Sequence, residues 1–401
     1  MPQTLRIKGQ SKSLEERLLG RVTFIPVHRN EQQDCFFALR DSTERVPDLR
    51  NYAGVLIEHG AEDRLPANLD CPVISGYDDL GFISQDTVVA VNPGSGATHL
   101  LYRPESLHNV IFTTVRCNSN CLMCSQPPVL SADEGIVDEH LRLIDLIKEP
   151  PEAMGITGGE PTLLKDGLIR ILARLKERFP DTPVQMLTNG RLFAYEDFVK
   201  ALGEVRHPDF ILDVPLYADV ASIHDYIVQA EGAFDETIQG LYHAAKHGLN
   251  IEIRVVLHRQ TLPRLLNLME YIYRNLTFVS HVALMGLENM GYVKKNWDLL
   301  WIDPFEYSGI LEKAVKYLFY RGIPVSIYNL QLCLMPKSIW CFMRRSISDY
   351  KNIYIEPCNG CGVRKYCAGL FLSSKTRHSS HFGSMEINAE VESKIFKGKG
   401  E

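Results

Sequence analysis

The chain has 401 residues, of which 45% are hydrophobic and 23% charged, a balance that excludes global disorder and fibrous classes and suits roughly two to four folded units. Its 43 basic against 49 acidic side chains give a net charge of −6, which argues against a nucleic-acid binder driven by bulk charge. No apolar run approaches the ~18–20 residues of a membrane helix, and the opening MPQTLRIKGQSKS lacks the apolar core of a secretory signal, so a cytoplasmic protein with no membrane and no nucleic-acid partner is expected.

Residues 1–105 alternate short apolar runs with turn residues: RVTFIPV (21–27), CFFAL (35–39), GVLIEHG (54–60), CPVIS (71–75), TVVAVNPGSG (87–96) and THLLYR (98–103). The near-two period predicts a strand-rich N-terminal domain. Its later part resembles the end of a phosphohistidine-type swivelling domain. The glycine-rich segment that carries that family's phosphorylated histidine has no counterpart here, so phosphotransfer is not implied and His59 reads as a surface or packing residue. Cys35 and Cys71 sit in apolar strand contexts and read as small buried hydrophobes.

From about residue 106 to 322 strands alternate with helices. NVIFTTV (109–115), AMGITG (153–158), PVQMLTN (183–189), FILDVPLY (210–217), NIEIRVVLH (250–258) and FVSHVALMG (278–286) are the strands. Helical stretches are expected near 134–149, 162–179, 194–205, 234–247, 262–276 and 305–321. This pattern predicts parallel βα units, and six strands suit an α/β partial (βα)6 barrel rather than a closed eight-stranded one. A strand, PVSIYN (324–329), leads into a small Cys-rich extension over 323–372, and the polar stretch 373–401 reads as a flexible tail.

Eight of the ten cysteines fall in two short regions, which in a reducing compartment favours metal ligation or catalysis over disulfides. RCNSNCLMCSQPP places Cys117, Cys121 and Cys124 in C-x3-C-x2-C spacing just after the first βα strand, at the strand end where such folds hold their chemistry. A 4Fe–4S cluster usually takes four cysteines, so three leave one iron open; a zinc knuckle or buried thiols are the alternative. TGGEP follows at the end of the second strand. There Gly158 and Gly159 permit close backbone approach, Glu160 offers a carboxylate to an ammonium, and Pro161 suits the start of a helix. Asn189 lies in the turn after the third strand, Asp213 in the fourth, and Arg254 on the mostly polar face of the fifth. Arg254 suits either a carboxylate ligand or an ion pair with Glu252. Near the end, EPCNGCGVRKYCAGLF supplies Cys358, Cys361 and Cys367, with Cys333 upstream in YNLQLCLMP. Four thiols match a fully ligated 4Fe–4S cluster or a structural zinc site, with Cys341 as a competing fourth ligand.

The order of the first two motifs is similar to that of the radical SAM superfamily. The resemblance implies that a 4Fe–4S cluster on Cys117, Cys121 and Cys124 binds S-adenosyl-L-methionine through its open iron and cleaves it reductively to a 5′-deoxyadenosyl radical. It implies cofactor contacts at Gly158, Gly159, Glu160 and Pro161, with Asn189, Asp213 and Arg254 as further candidates. Met123 stands where many members carry an aromatic residue. The second cysteine region resembles the auxiliary-cluster (SPASM/twitch-like) domain of peptide-modifying members. Together RCNSNCLMCSQPP, GITGGEPTLL, LTNGRLF, VALMGLE, YNLQLC and CNGCGVRKYCAGLF resemble the His-Xaa-Ser-system radical SAM maturases of the HxsC type, over about residues 50–372. That resemblance implies modification of a ribosomally made precursor peptide or small protein, companion maturation proteins, and an electron donor such as a flavodoxin or ferredoxin. The mild overall acidity suits a peptide with basic or imidazole groups. A non-catalytic cluster- or zinc-binding module, and a radical SAM enzyme acting on a small molecule or RNA, are the competing readings.

Overall fold

The alternating apolar runs of the first hundred positions build an eight-stranded mixed sheet in the computed structural model, which describes residues 5–388 apart from 12–13, 41–42, 44–45 and 67–68. Its strands are β1 (Arg6–Ile7), β2 (Gln10–Ser11), β3 (Leu18–Thr23), β4 (Cys35–Leu39), β5 (Gly54–Glu58), β6 (Val73–Tyr77), β7 (Val88–Val91) and β8 (Thr98–Tyr102), in the order β1-β8-β7-β3-β4-β5-β6-β2. A four-residue helix, α1 (Arg29–Gln32), links β3 to β4. β3 to β6 run parallel and the flanking pairs antiparallel. Cys35 and Cys71 are buried, and His59 is exposed beside Glu62.

The second sheet has seven parallel strands in unbroken chain order: β9 (Val110–Phe112), β10 (Met154–Thr157), β11 (Val184–Leu187), β12 (Phe210–Pro215), β13 (Asn250–Leu257), β14 (His281–Gly286) and β15 (Val325–Tyr328). Between them run α2 (Ile136–Leu146), α3 (Asp166–Arg178), α4 (Glu196–Glu204), α5 (Ala221–Val228), α6 (Ala233–Lys246), α7 (Leu265–Asn275), α8 (Trp297–Leu300) and α9 (Pro304–Phe319). In α3, Leu168, Ile171, Leu172 and Leu175 are buried at helical spacing against the sheet. In β11, Val184 and Met186 are buried while Gln185 and Leu187 stay open, the alternation of a strand covered on one face, whereas β12, β13 and β14 are buried or half-buried along nearly their whole length. The α/β class, the parallel sheet and the strand-rich N-terminal region therefore match the sequence reading.

Two expectations change. PVSIYN is a seventh βα strand: β15 pairs with β14 from Val282↔Val325 to Met285↔Tyr328. Without it β14 would present an open edge, so a boundary at 323 cuts through the sheet. The stretch after 373 is held down as far as residue 388. Gly362 N donates to Met385 O at 2.9 Å, Asn289 Nδ2 donates to Arg377 O at 2.9 Å, and the His381 ring stacks on Phe305 with centroids 4.1 Å apart. Phe382, Met385 and Ile387 also pack against the apolar core, but as scattered positions without a helical or strand period, which is why the composition alone reads as tail. Positions 389–401 of the expected tail lie outside the described residues.

Candidate functional site

The loop carrying Cys117, Cys121 and Cys124 leaves the C-terminal end of β9 and is fastened from three sides. Asn120 N and Leu122 N donate to Val228 O and Ile227 O at the end of α5, at 3.0 and 2.9 Å. Tyr292 N donates to Cys124 O at 2.9 Å, and Asn296 Nδ2 donates to Leu122 O at 2.8 Å. Arg191, immediately after the TNG turn, donates to Asn118 O and Ser119 Oγ while its Nε pairs with Glu236 at 2.6 Å. The thiols feel one another: burial first, then the charges of Cys124 and Cys117, push Cys121 up to about 12. Burial likewise raises Cys117 to about 11 and raises Cys124. Ser119 N donates to Cys117 Sγ at 3.4 Å. Met123 is 7% exposed and packs in an apolar cluster with Tyr217 and Val293.

The GGE turn is stitched to this loop. Gly158 has φ +152°, and a Cβ on Gly159 would meet Arg116 O at 2.0 Å. The glycines thus let β10's turn cross the backbone before Cys117, where Gly159 N donates to Thr114 O at 2.6 Å and Glu160 N to Arg116 O at 2.7 Å. Glu160 is fully buried. Its Oε1 accepts from Thr162 N (3.0 Å), Thr162 Oγ1 (2.6 Å) and Thr188 Oγ1 (2.6 Å), and its Oε2 from Asn189 N (2.7 Å). A carboxylate has about four acceptor directions, so Glu160 is largely occupied by the chain itself, with only Oε2 retaining room. Pro161 opens the 3-10 turn Pro161–Leu164. Asn189 Nδ2 donates to Asn118 Oδ1 at 2.6 Å and lies 3.8 Å from Cys117 Sγ. Gly158, Gly159, Glu160 and Asn189 are therefore gathered around the cysteine loop.

Asp213 and Arg254 form a separate group on neighbouring strands. Arg254 Nη2 stands 2.7 Å from Asp213 Oδ2, and Nε donates to Glu252 Oε1 at 2.7 Å. Burial pushes Asp213 up to about 7 against the pull of Arg254, and neither Asp213 oxygen receives an aligned hydrogen bond among the described residues. Of the two expectations for Arg254, the structure shows the ion pair. The chain of contacts continues through Glu252 Oε2 to His281 Nδ1 (2.7 Å) and from His281 Nε2 to Ser326 Oγ (3.1 Å). Burial alone would raise Glu252, but His281 and Arg254 outweigh it and leave it lowered. Tyr217 links the two groups: it is raised by burial and then by the charges of Cys121 and Cys124, and Arg254 acts on it in the opposite sense. Sequence reasoning missed Arg191, His281, Ser326 and Tyr217. Only Arg191 carried a signal, its place directly after a strand-end turn.

The second cysteine group lines one small cavity of about 20 Å³, whose walls hold Cys333, Cys358, Cys361 and Cys367 with Tyr354 and Phe382. Burial, then the charges of Cys367, Cys358 and Cys361, push Cys333 up to about 11. Met385 N donates to Cys361 Sγ at 3.4 Å. Cys341 is exposed and does not line this cavity. Among the described residues no group of three or more His, Cys, Asp or Glu side chains is placed to hold a single metal ion.

Residues 111–272, from β9 to α7, match the family model described as Radical SAM superfamily. The cysteine loop and the GGE turn both lie within the matched stretch. A curated relative, uncharacterized protein MJ0907 of Methanocaldococcus jannaschii, is 22% identical over 270 residues, covering 62% of this chain and 84% of that protein. Among solved structures, Streptococcus suis SuiB bound to precursor peptide SuiA is similar at 17% identity and a TM-score of 0.44, covering 57% of this chain and 49% of that one. Native anSMEcpe with bound AdoMet and Cp18Cys peptide is similar at 16% identity and a TM-score of 0.43, covering 72% of this chain and 87% of that one. The chain spans about half the length of SuiB.

Proposed function

We propose that this chain is a peptide-modifying radical SAM maturase of the His-Xaa-Ser type. In this reading Cys117, Cys121 and Cys124 hold the 4Fe–4S cluster that binds S-adenosyl-L-methionine, and Cys333, Cys358, Cys361 and Cys367 hold an auxiliary one. The observation that carries the reading is the pairing of an open three-thiol loop, bonded to a GGE turn, with a separate cavity walled by four thiols. When bound, the reduced cluster and S-adenosyl-L-methionine supply hydrogen-abstracting radical chemistry. The chain's own residues orient and exclude water. Glu160 locks the Thr188–Asn189 turn against the cysteine loop, and Asn189 is left beside Cys117. Asp213 keeps two buried acceptor oxygens without aligned donors, suited to hydroxyls of a bound ligand. Arg254 is held by Asp213 and Glu252 and acts as their counter-charge. The substrate is a ribosomally made precursor peptide, and companion maturation proteins and a flavodoxin- or ferredoxin-type donor complete the system; the sequence motifs support this finer part. Anaerobic reconstitution with iron, sulfide, reductant and S-adenosyl-L-methionine tests the chemistry: 5′-deoxyadenosine is expected, and its absence from a cluster-replete sample overturns the reading. Mass spectrometry of a His-Xaa-Ser precursor co-expressed with and without the chain tests the substrate.

A further inference from the structure

A cleft of about 1030 Å³ lies apart from the cysteine loop, at the opposite end of β9. Its walls come from three segments: residues 105–108 ahead of β9, 343–349 after β15, and 352–368 of the Cys-rich region. The volume stands at the upper limit of small-molecule pockets, about 1,000 Å³, and suits several residues of an extended chain. The walls are braced. Arg103 holds Asp349 at 2.8 Å, Arg344 N donates to Ile327 O at 2.9 Å, and β16 (Asn352–Ile353) pairs with β17 (Leu370–Phe371).

The lining alternates two chemistries. Leu107 is 58% exposed and faces the cleft with Met343, Ile347 and Tyr354. Arg344, Arg345 and Lys365 bring positive charge, against Glu105 and an Asp349 already held by Arg103. Arg344 Nη1 donates to Cys341 O at 2.9 Å and Met343 O at 3.2 Å, which aims the guanidinium without neutralising it. Neither Arg344 nor Arg345 has a carboxylate at ion-pair distance among the described residues. Tyr354 also walls the Cys333 cavity, so the cleft abuts the second cysteine group.

We propose that this cleft binds an extended segment of the substrate peptide in which acidic side chains alternate with apolar ones. The proposal deepens the maturase reading and rests on it for the occupant. The net charge of −6 suggests a basic partner, but charges within a Debye length of about 8–10 Å decide what a cleft attracts, and here they are positive. An acidic electron-transfer protein would dock on a convex or flat basic face, whereas these cations line a concavity with an apolar floor.

The test uses the full chain and two short dye-labelled peptides, one alternating leucine with aspartate and one alternating leucine with lysine, read by fluorescence anisotropy. Binding of the aspartate peptide only, weakened by salt and at least roughly tenfold weaker in Arg344→Gln/Arg345→Gln, is expected. Arg345→Gln alone, at an exposed side chain that braces no wall, gives the same direction if the double variant unfolds. Equal binding of both peptides, or unchanged binding in the variants, overturns the proposal. So does unchanged peptide binding with slower reduction by an acidic flavodoxin, which assigns the cations to the electron donor. Formation of 5′-deoxyadenosine is measured in parallel. Its presence with no peptide binding sinks the cleft alone, and its absence with intact binding sinks the radical chemistry alone.

Discussion

The loop at 117–124 and the cavity around Cys333 both gather thiols, yet they are built on different principles. The loop has three thiols and almost no enclosure of its own; its shape is imposed by bonds from α5, from residues 291–296, from Arg191 and from the GGE turn. The cavity has four thiols and is closed by chain drawn from residues 331 to 383. An open site must be positioned from outside because it leaves a face free for ligand, whereas a closed site is defined by the ligands that fill it. The comparison teaches that the number of thiols and the degree of closure vary together.

The comparison can be broken most decisively by single cysteine replacements. Cys121→Ala is expected to lower 5′-deoxyadenosine formation by at least roughly a hundredfold, while Cys361→Ala retains cleavage within about tenfold and loses peptide modification; equal losses of cleavage would erase the distinction. Iron analysis sharpens it. Each replacement should drop the content from about eight to about four irons per chain, and a colourless zinc protein would refute both assignments. Glycine substitutions come next. Gly159→Ala drives a Cβ to 2.0 Å from Arg116 O and is expected to cost about 3 kcal/mol of stability by chemical denaturation. Gly360→Ala, at φ +74° with nothing within 4 Å, should cost only about 1 kcal/mol. Glu160→Gln turns one acceptor into a donor facing Asn189 N–H and should cost about 2 kcal/mol.

The smallest effect is a pH slope around the first group. Burial lowers His224 to about 4 and His258 to about 3. Both fold neutral, so their contribution is fully present above the unfolded value near 6.5 and is lost as pH falls from there toward 4. The urea midpoint should decline over that range, and His224→Gln should flatten the decline.

Much of this was legible in the sequence because its signals are local. Strand periodicity placed β4 at Cys35–Leu39 without error, and spacing alone marked the thiols of both groups. What escaped was decided by partners far along the chain. Glu160 looked like an open acceptor because two of its four donors, Thr188 and Asn189, lie a full βα unit away, and the other two come from Thr162 only once the turn has formed. PVSIYN looked like a lead-in because only β14's unpaired edge makes it a seventh strand. The segment to residue 388 looked loose because its anchors are a sulfur, a ring, two carbonyls and three scattered apolar side chains, Phe382, Met385 and Ile387, rather than a periodic hydrophobic stripe.

The bonds from Gly159 and Glu160 to Thr114 and Arg116 span more than forty residues. If this loop holds iron as proposed, a nascent chain has no competent pocket for it until β10 has docked beside β9, however many of its thiols have already emerged. On the proposed reading, metallation would then be a late event in biogenesis and a readout of completed strand pairing. Partially folded molecules should stay iron-free at this site and be separable by colour from mature ones.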